Sequence, residues 1–136
     1  MSTSKKNRLL TYSQAILEGT QQEMTQDERV FVMGQGVDDF KGTVGTTMDL
    51  HQMFGSKRSF DVPVAEEGML GVAIGAALSG LRPINVHIRF DFIMVCMNQL
   101  INMAAKSHYM FGGSVHIPLV IRGAIGRSWG QGGQHS

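Results

Sequence analysis

The chain has 136 residues, a formal net charge of +1 and 43% hydrophobic residues. This length suits a single domain with a buried core, and the near-zero charge gives no attraction to nucleic acid or to an anionic membrane surface. No apolar run approaches the roughly 20 residues of a membrane-spanning helix. The single cysteine, Cys96, excludes a disulfide framework and favours an intracellular location. We expect residues 1–9 to form a flexible tail ahead of one domain.

Helical and strand patterns alternate along the rest of the chain. Apolar positions spaced three or four residues apart, together with capping residues, predict helices at 11–26, 49–54, 66–81 and 91–110. Short apolar runs bounded by glycine or polar residues predict strands at 29–33, 59–64, 84–88 and 117–122. This alternation indicates an α/β fold in which a parallel β-sheet is sandwiched by helices.

Each predicted strand leads into a segment of unusual composition. A glycine-rich loop at 34–47 follows the first strand, Glu66 and Glu67 follow the second, residues 89–92 follow the third, and a glycine-rich segment at 123–136 follows the fourth. The carboxyl ends of parallel strands share one edge of a sheet, so these segments converge and predict a ligand site there. Taken alone, the two glutamates are equally consistent with a helix start, where the dipole favours carboxylates.

Several short motifs agree in order and spacing with one family of enzymes. They are Val-Pro-Val-Ala-Glu-Glu-Gly at 62–68, Gly-Leu-Arg-Pro at 80–83, Asn-Gln-x-Ile-Asn-x-Ala-Ala-Lys at 98–106, Tyr-Met-x-Gly-Gly at 109–113 and Gln-His-Ser at 134–136. With this set the chain resembles the transketolase-like pyrimidine-binding domain of thiamine diphosphate enzymes, in particular that of the β subunits of 2-oxo acid dehydrogenases of the pyruvate, branched-chain and acetoin types. The resemblance covers residues 10–136 as one pyrimidine-binding domain, and it implies that the family's carboxy-terminal domain is absent from this sequence.

The resemblance implies roles for three side chains. Glu66 matches the glutamate that hydrogen-bonds the aminopyrimidine and activates the cofactor, whereas Glu67 is expected to be a surface or helix-start residue. Phe92 matches the aromatic residue that stacks on the aminopyrimidine, and the neighbouring Phe90 is expected in the core. His135 matches a histidine that lines the active site and handles the substrate or the incoming lipoyl group. The other histidines are expected to be surface or structural residues: His51, His87, His108 and His116.

The resemblance also implies cofactors and partners. We expect thiamine diphosphate as the cofactor. Magnesium would be held mainly by a partner chain of the α-subunit type, because this sequence lacks the Gly-Asp-Gly…Asn segment that binds the diphosphate and metal; we predict no metal ligands within the chain. A homodimer of this domain, a lipoyl carrier protein and a 2-oxo acid substrate are further expected partners. The expected location is the cytoplasm, or the mitochondrial matrix in a eukaryote.

Two alternatives stay open at this point. One is a transketolase-like or sulfopyruvate-decarboxylase-like enzyme that uses the same cofactor, and the other is a non-catalytic α/β interaction module. The pair Gln35-Gly36 stands where the family often carries acidic residues, and Arg89 stands where many relatives have a neutral residue. Arg127 and Trp129 lie in the last loop, and an arginine near the pocket would favour an acidic substrate group. These departures leave the particular 2-oxo acid undefined.

Overall fold

The computed structural model describes residues 8–126 and 130–135 of the chain, and its elements follow the predicted alternation. The helices are α1 (Tyr12–Gln26), α2 (Leu50–Phe54), α3 (Glu66–Leu78) and α4 (Lys106–Met110), and the strands are β1 (Val30–Gly34), β2 (Ser59–Asp61), β3 (Arg82–His87) and β4 (Val120–Gly123). Thr11 caps α1 because its hydroxyl accepts a hydrogen bond from the backbone of Gln14, whose side chain accepts one from the backbone of Thr11. Of the predicted tail, residues 1–7 lie outside the described part.

The strands form a four-stranded sheet in the order β2-β1-β3-β4, and every pair of neighbours is parallel. Val32 of β1 pairs with Ser59 on one side and with Ile84 on the other, which makes β1 and β3 the two central strands. All five residues of β1 are buried, as expected for a strand covered on both faces. The predicted α/β sandwich is therefore confirmed.

Alternate side chains of the central strands enter two separate layers of core. Val30, Val32 and Val86 pack with Met24 of α1 and Leu50 of α2 on one face. On the opposite face lie three buried side chains of β1 and α3, namely Phe31, Met33 and Ala73. The same layer continues along α3 and the helical segment after β3 through Leu70, Ile74, Ile93 and Cys96. Because α3 covers the sheet directly, its first residue is held at the edge where the strands end.

The segment at 91–110, which was predicted as one α-helix, contains three kinds of helix in the structure. It begins as a 3₁₀-helix at Phe90–Cys96, widens to a π-helix at Gln99–Ala105 and ends in α4. Its core-facing residues explain the change, since Ile93 and Cys96 are three residues apart while Cys96, Leu100 and Ala104 are four apart. Tight winding and then wide winding keep this apolar stripe against α3.

Phe90 lies at the start of the same segment and was expected in the core, but this prediction was wrong. Its backbone N–H donates to the carbonyl of Ala124 at 3.0 Å, which fixes the chain at the sheet edge, and the residue is 38% exposed. Cys96 is buried as its apolar setting predicted, and burial raises the pKa of its thiol. Within the described ranges, no helix has both the length and the apolar character needed to cross a membrane.

Candidate functional site

The sheet edge at which the strands end contains a point where the chain changes direction. β1 and β3 are neighbours, but the chain leaves β1 toward β2 on one side and leaves β3 toward β4 on the other. Connections that diverge in this way open a crevice between the carboxyl ends of the two strands. The residues that follow β1 and β3 form the walls of this crevice.

Glu66 is the first residue of α3 and faces the end of β1. Its side chain is half-buried, and its Oε1 accepts a hydrogen bond of 3.1 Å from Nε2 of Gln35. Glu67, one residue further on, is exposed. The two adjacent carboxylates therefore have different surroundings: Glu66 lies at the sheet edge where the strands end, and Glu67 is exposed to solvent. The exposure of Glu67 agrees with its prediction as a surface residue.

The loop that follows β1 is fastened to the site through backbone contacts. The N–H of Gly36 donates to Oδ1 of Asp61 at the end of β2, at 2.6 Å. The hydroxyl of Thr43 donates to the carbonyl of Gln35 at 3.3 Å. Both contacts hold the peptide group between Gln35 and Gly36, and the side-chain amide of Gln35 reaches Glu66 from there.

Gly34 allows β1 and β3 to approach each other at this point. A Cβ built on Gly34 would lie 2.1 Å from the carbonyl oxygen of Val86 in β3, which no side chain can tolerate. The glycine that ends β1 is therefore required by the spacing of the two central strands, and that spacing sets the width of the crevice.

A cavity of about 340 Å³ lies at the mouth of the crevice. Phe92 and His135 form part of its wall, with ring centroids 5.3 Å apart and an angle of 76° between the rings. Nδ1 of His135 is buried and has no hydrogen-bond partner in the described structure. Arg89 also lines the cavity and is only 8% exposed. This volume is in the range of small-molecule sites.

The three predicted site residues lie at the same edge of the sheet, but they do not all contact one another. Phe92 and His135 touch each other across the cavity. Glu66 is absent from the cavity wall and reaches it through Gln35, which is bonded to Glu66 and adjoins the lining residue Gly36. The two rings therefore line the cavity directly, and the carboxylate is linked to it through Gln35.

Sequence reasoning missed two buried polar side chains beside Glu66. Asn85 is 2% exposed and His87 is 4% exposed, and Nδ2 of Asn85 lies 3.4 Å from Nε2 of His87. Burial lowers the pKa of His87, and the nearby charge of Glu66 opposes this shift. His87 was expected to be a surface or structural residue, and its burial rules out the surface position. Asn85 and His87 share one face of a strand buried on both faces, because they alternate with Ile84 and Val86, and this pattern was the unused signal for their position.

The remaining histidines lie away from the site. Nδ1 of His51 lies 2.7 Å from the carbonyl of Ser59, a structural contact. His108 and His116 are exposed, and their rings lie 4.9 Å apart. The described ranges contain no group of three or more histidine, cysteine or carboxylate residues able to hold a metal ion. Of the residues singled out in the last loop, Arg127, Trp129 and Ser136 lie outside the described part.

The fold and the site define a parallel α/β domain with a cavity of small-molecule size. The cavity lies at the topological switch point, where the chain leaves β1 and β3 in opposite directions, and Glu66 lies nearby at the start of α3. The chain matches the family described as transketolase, pyrimidine-binding domain, over residues 8–136. It belongs to this family, as the sequence motifs predicted.

Three similar curated proteins, one bacterial and two mammalian, are named as the same enzyme subunit. The chain is 43% identical over 127 residues to the pyruvate dehydrogenase E1 component subunit beta of Rickettsia bellii, a match that covers 93% of this chain and 39% of that relative. It is 42% identical over 127 residues to the mitochondrial subunits of the same name from Bos taurus and Homo sapiens, again over 93% of this chain but 35% of each relative. The chain therefore spans well under half the length of the curated relatives it matches.

Proposed function

We propose that this chain is the pyrimidine-binding domain of a β-subunit-type component of a thiamine diphosphate-dependent 2-oxo acid dehydrogenase. The observation that carries the proposal is the position of Glu66, which starts α3 at the switch point and is held there by Gln35. The family membership and the name of the relatives support the same activity.

The residues at the site fit the aminopyrimidine end of thiamine diphosphate. Gln35 occupies Oε1 of Glu66, so the second carboxyl oxygen is available to hydrogen-bond a ring nitrogen. Phe92 offers an aromatic ring at the cavity wall for stacking, and His135 offers a ring nitrogen that lacks a partner. When bound, thiamine diphosphate supplies the nucleophilic carbon and the electron sink for decarboxylation of the 2-oxo acid.

The chain's own residues then act through binding and proton positioning. Glu66 holds a proton at the edge of the ring, and Phe92 fixes the plane of that ring. His135, placed against Phe92, orients the substrate or an incoming lipoyl group. The shared cavity wall supports a common action of these two rings.

The proposal includes the partners that this activity needs. An α-subunit-type chain would supply the diphosphate and magnesium site, and the two chain types would form a heterotetramer in which copies of this domain meet. A lipoyl carrier protein would accept the acyl group. We propose a cytoplasmic location, or the mitochondrial matrix in a eukaryote; the names of the mammalian relatives describe those proteins as mitochondrial.

Substitution of each adjacent glutamate tests the proposal. In the complex with the α-type partner, Glu66→Gln should lower the decarboxylation rate by about 10²–10⁴-fold, the usual contribution of a positioned proton-transfer group. The matched control Glu67→Gln changes an exposed carboxylate one residue away and should leave the rate within about twofold.

Two outcomes would contradict this assignment. Equal losses from both substitutions would show that Glu66 has no special role. If the assembled wild-type complex bound thiamine diphosphate but decarboxylated no 2-oxo acid, the activity itself would be wrong, and a different reaction of the same cofactor would have to be assayed.

A further inference from the structure

Arg122 is a partly buried arginine of β4 whose guanidinium has no carboxylate partner among the described residues. Its Nη1 donates to the hydroxyl of Thr20 at 3.3 Å, and its Nη2 donates to the carbonyl of Thr46 at 3.2 Å. Both acceptors are neutral, and both bonds are long for a guanidinium. Nε of Arg122 is buried and has no hydrogen-bond partner within the described part of the chain.

No described ion pair includes Arg122; the described pairs use Arg8, Arg29 and Arg82 instead. Burial lowers the pKa of Arg122 to about 10, which still leaves the guanidinium charged at neutral pH. A buried charge without a counter-charge is unfavourable, and an anion beside it relieves the cost. The environment of Arg122 is therefore suited to an anion.

Space for that anion lies directly beside the guanidinium. A cavity of about 430 Å³ is bounded by α1, by the loop after β1 and by the chain after β4. Among the described residues of its wall, Arg122 is the one with a charged side chain, and several are apolar, among them Ile16, Val86 and Ile125. Three residues with hydroxyl groups also belong to the wall, namely Tyr12, Ser13 and Thr46.

We propose that this cavity binds a small aliphatic monocarboxylate. Arg122, the one charged side chain among the described lining residues, matches one negative charge, so we expect phosphate dianions and dicarboxylates to bind less well. The apolar walls suit a short hydrocarbon tail, and the hydroxyl groups suit the second carboxylate oxygen. Thr43 and Val44 line both this cavity and the one that contains Phe92, so the loop after β1 separates the two. The proposal does not depend on the function proposed for Glu66.

Ligand-observed NMR on the full chain tests this site with butyrate as the probe and butyramide as its neutral isostere. We expect butyrate to bind at least tenfold more tightly than butyramide. Arg122→Met, which keeps the length of the side chain and removes its charge, should abolish that preference. Arg82→Met is the matched control, because Arg82 lies at the start of β3 and lines a different pocket, so its loss should leave butyrate binding unchanged.

A second variant keeps the test decisive if Arg122→Met does not fold. Ile16→Trp retains the arginine and fills the cavity from α1, so it should reduce butyrate affinity at least tenfold. Equal binding of butyrate and butyramide to the wild type, or unchanged butyrate affinity in either variant that folds, would overturn the proposal.

Discussion

Gln35 contacts and orients the side chain of Glu66, which lies 31 positions away in the chain. In the sequence, Gln35 stood out only as a neutral residue where the family often has an acidic one. In the structure its amide donates to Glu66 at 3.1 Å. A carboxylate in the same place would repel Glu66 unless the two shared a proton. The amide instead donates a hydrogen bond and fixes the orientation of the carboxyl group.

Phe92 carries a prediction at the same scale. Phe92→Ala should weaken the affinity of the assembled complex for thiamine diphosphate by about two- to tenfold, because ring stacking contributes about 0.5–1.5 kcal/mol. Isothermal titration calorimetry of the complex with thiamine diphosphate measures this change.

Phe90→Ala is the control for Phe92→Ala. Phe90 is two residues away, has the same ring and does not line the cavity. If both variants bind the cofactor with wild-type affinity, or if both lose affinity equally, Phe92 is not the stacking residue.

The contact between β1 and β3 determines the site at the scale of elements. Gly34 and Val86 are register partners in the two central strands, and the strands reach their loops within a few residues of this pair. The loop that presents Gln35 begins directly after Gly34, while the segment with Arg89 and Phe92 begins directly after β3. A change in this spacing therefore displaces both walls of the crevice.

Gly34→Ala should lower the free energy of unfolding by about 1–3 kcal/mol, since the added methyl group meets a backbone oxygen that cannot move aside. Gly19→Ala provides the opposite control. Gly19 lies within α1, and its added Cβ would meet nothing within 4 Å, so alanine should stabilise the protein by about 0.5–1 kcal/mol. Urea unfolding followed by circular dichroism measures both changes. A neutral effect of Gly34→Ala would mean that the strands are free to separate.

At the scale of the whole molecule, Asp27 joins the end of α1 to the starts of the two central strands. Its carboxylate accepts hydrogen bonds from the backbone and side chain of Arg29 and pairs with Arg82 of β3 at 3.1 Å. The side-chain hydrogen bond from Arg29 is the largest cause that lowers the pKa of Asp27 to about 2, and the charge of Arg82 adds to it.

The pH dependence of folding follows from this shift. The unfolded chain has a carboxyl pKa near about 4, so below that pH it binds the Asp27 proton more readily than the folded protein does. The stabilisation is complete above about pH 5 and is lost as the pH falls toward 2. We expect the urea midpoint of the wild type to fall more between pH 5 and pH 3 than that of Asp27→Asn. Glu28→Gln, at an exposed neighbour, should keep the wild-type pH dependence; parallel curves for all three proteins would refute a role for Asp27.

The local sequence pattern was sufficient to predict the type and order of the helices and strands. It also predicted that Glu66 and Glu67 lie at the start of a helix. Periodicity and capping act over a few residues, so α1, α3 and the four strands were predicted with small errors at their ends. The ordered motifs also predicted the family that the comparison confirmed. The local pattern could not predict contacts between residues that are far apart in the chain.

Only the tertiary structure decided the strand order, the changing winding of the segment 90–110 and the environments of several polar residues. Gln35 meets Glu66, and Arg122 meets Thr20 across 102 positions. These encounters depend on which strands are neighbours, and no local preference encodes that choice. His87 is buried and Phe90 is partly exposed for the same reason: the position of α3 and of the chain after β4 sets their surroundings. The sequence by itself determined the elements and the residues able to do chemistry; packing determined which of those residues meet.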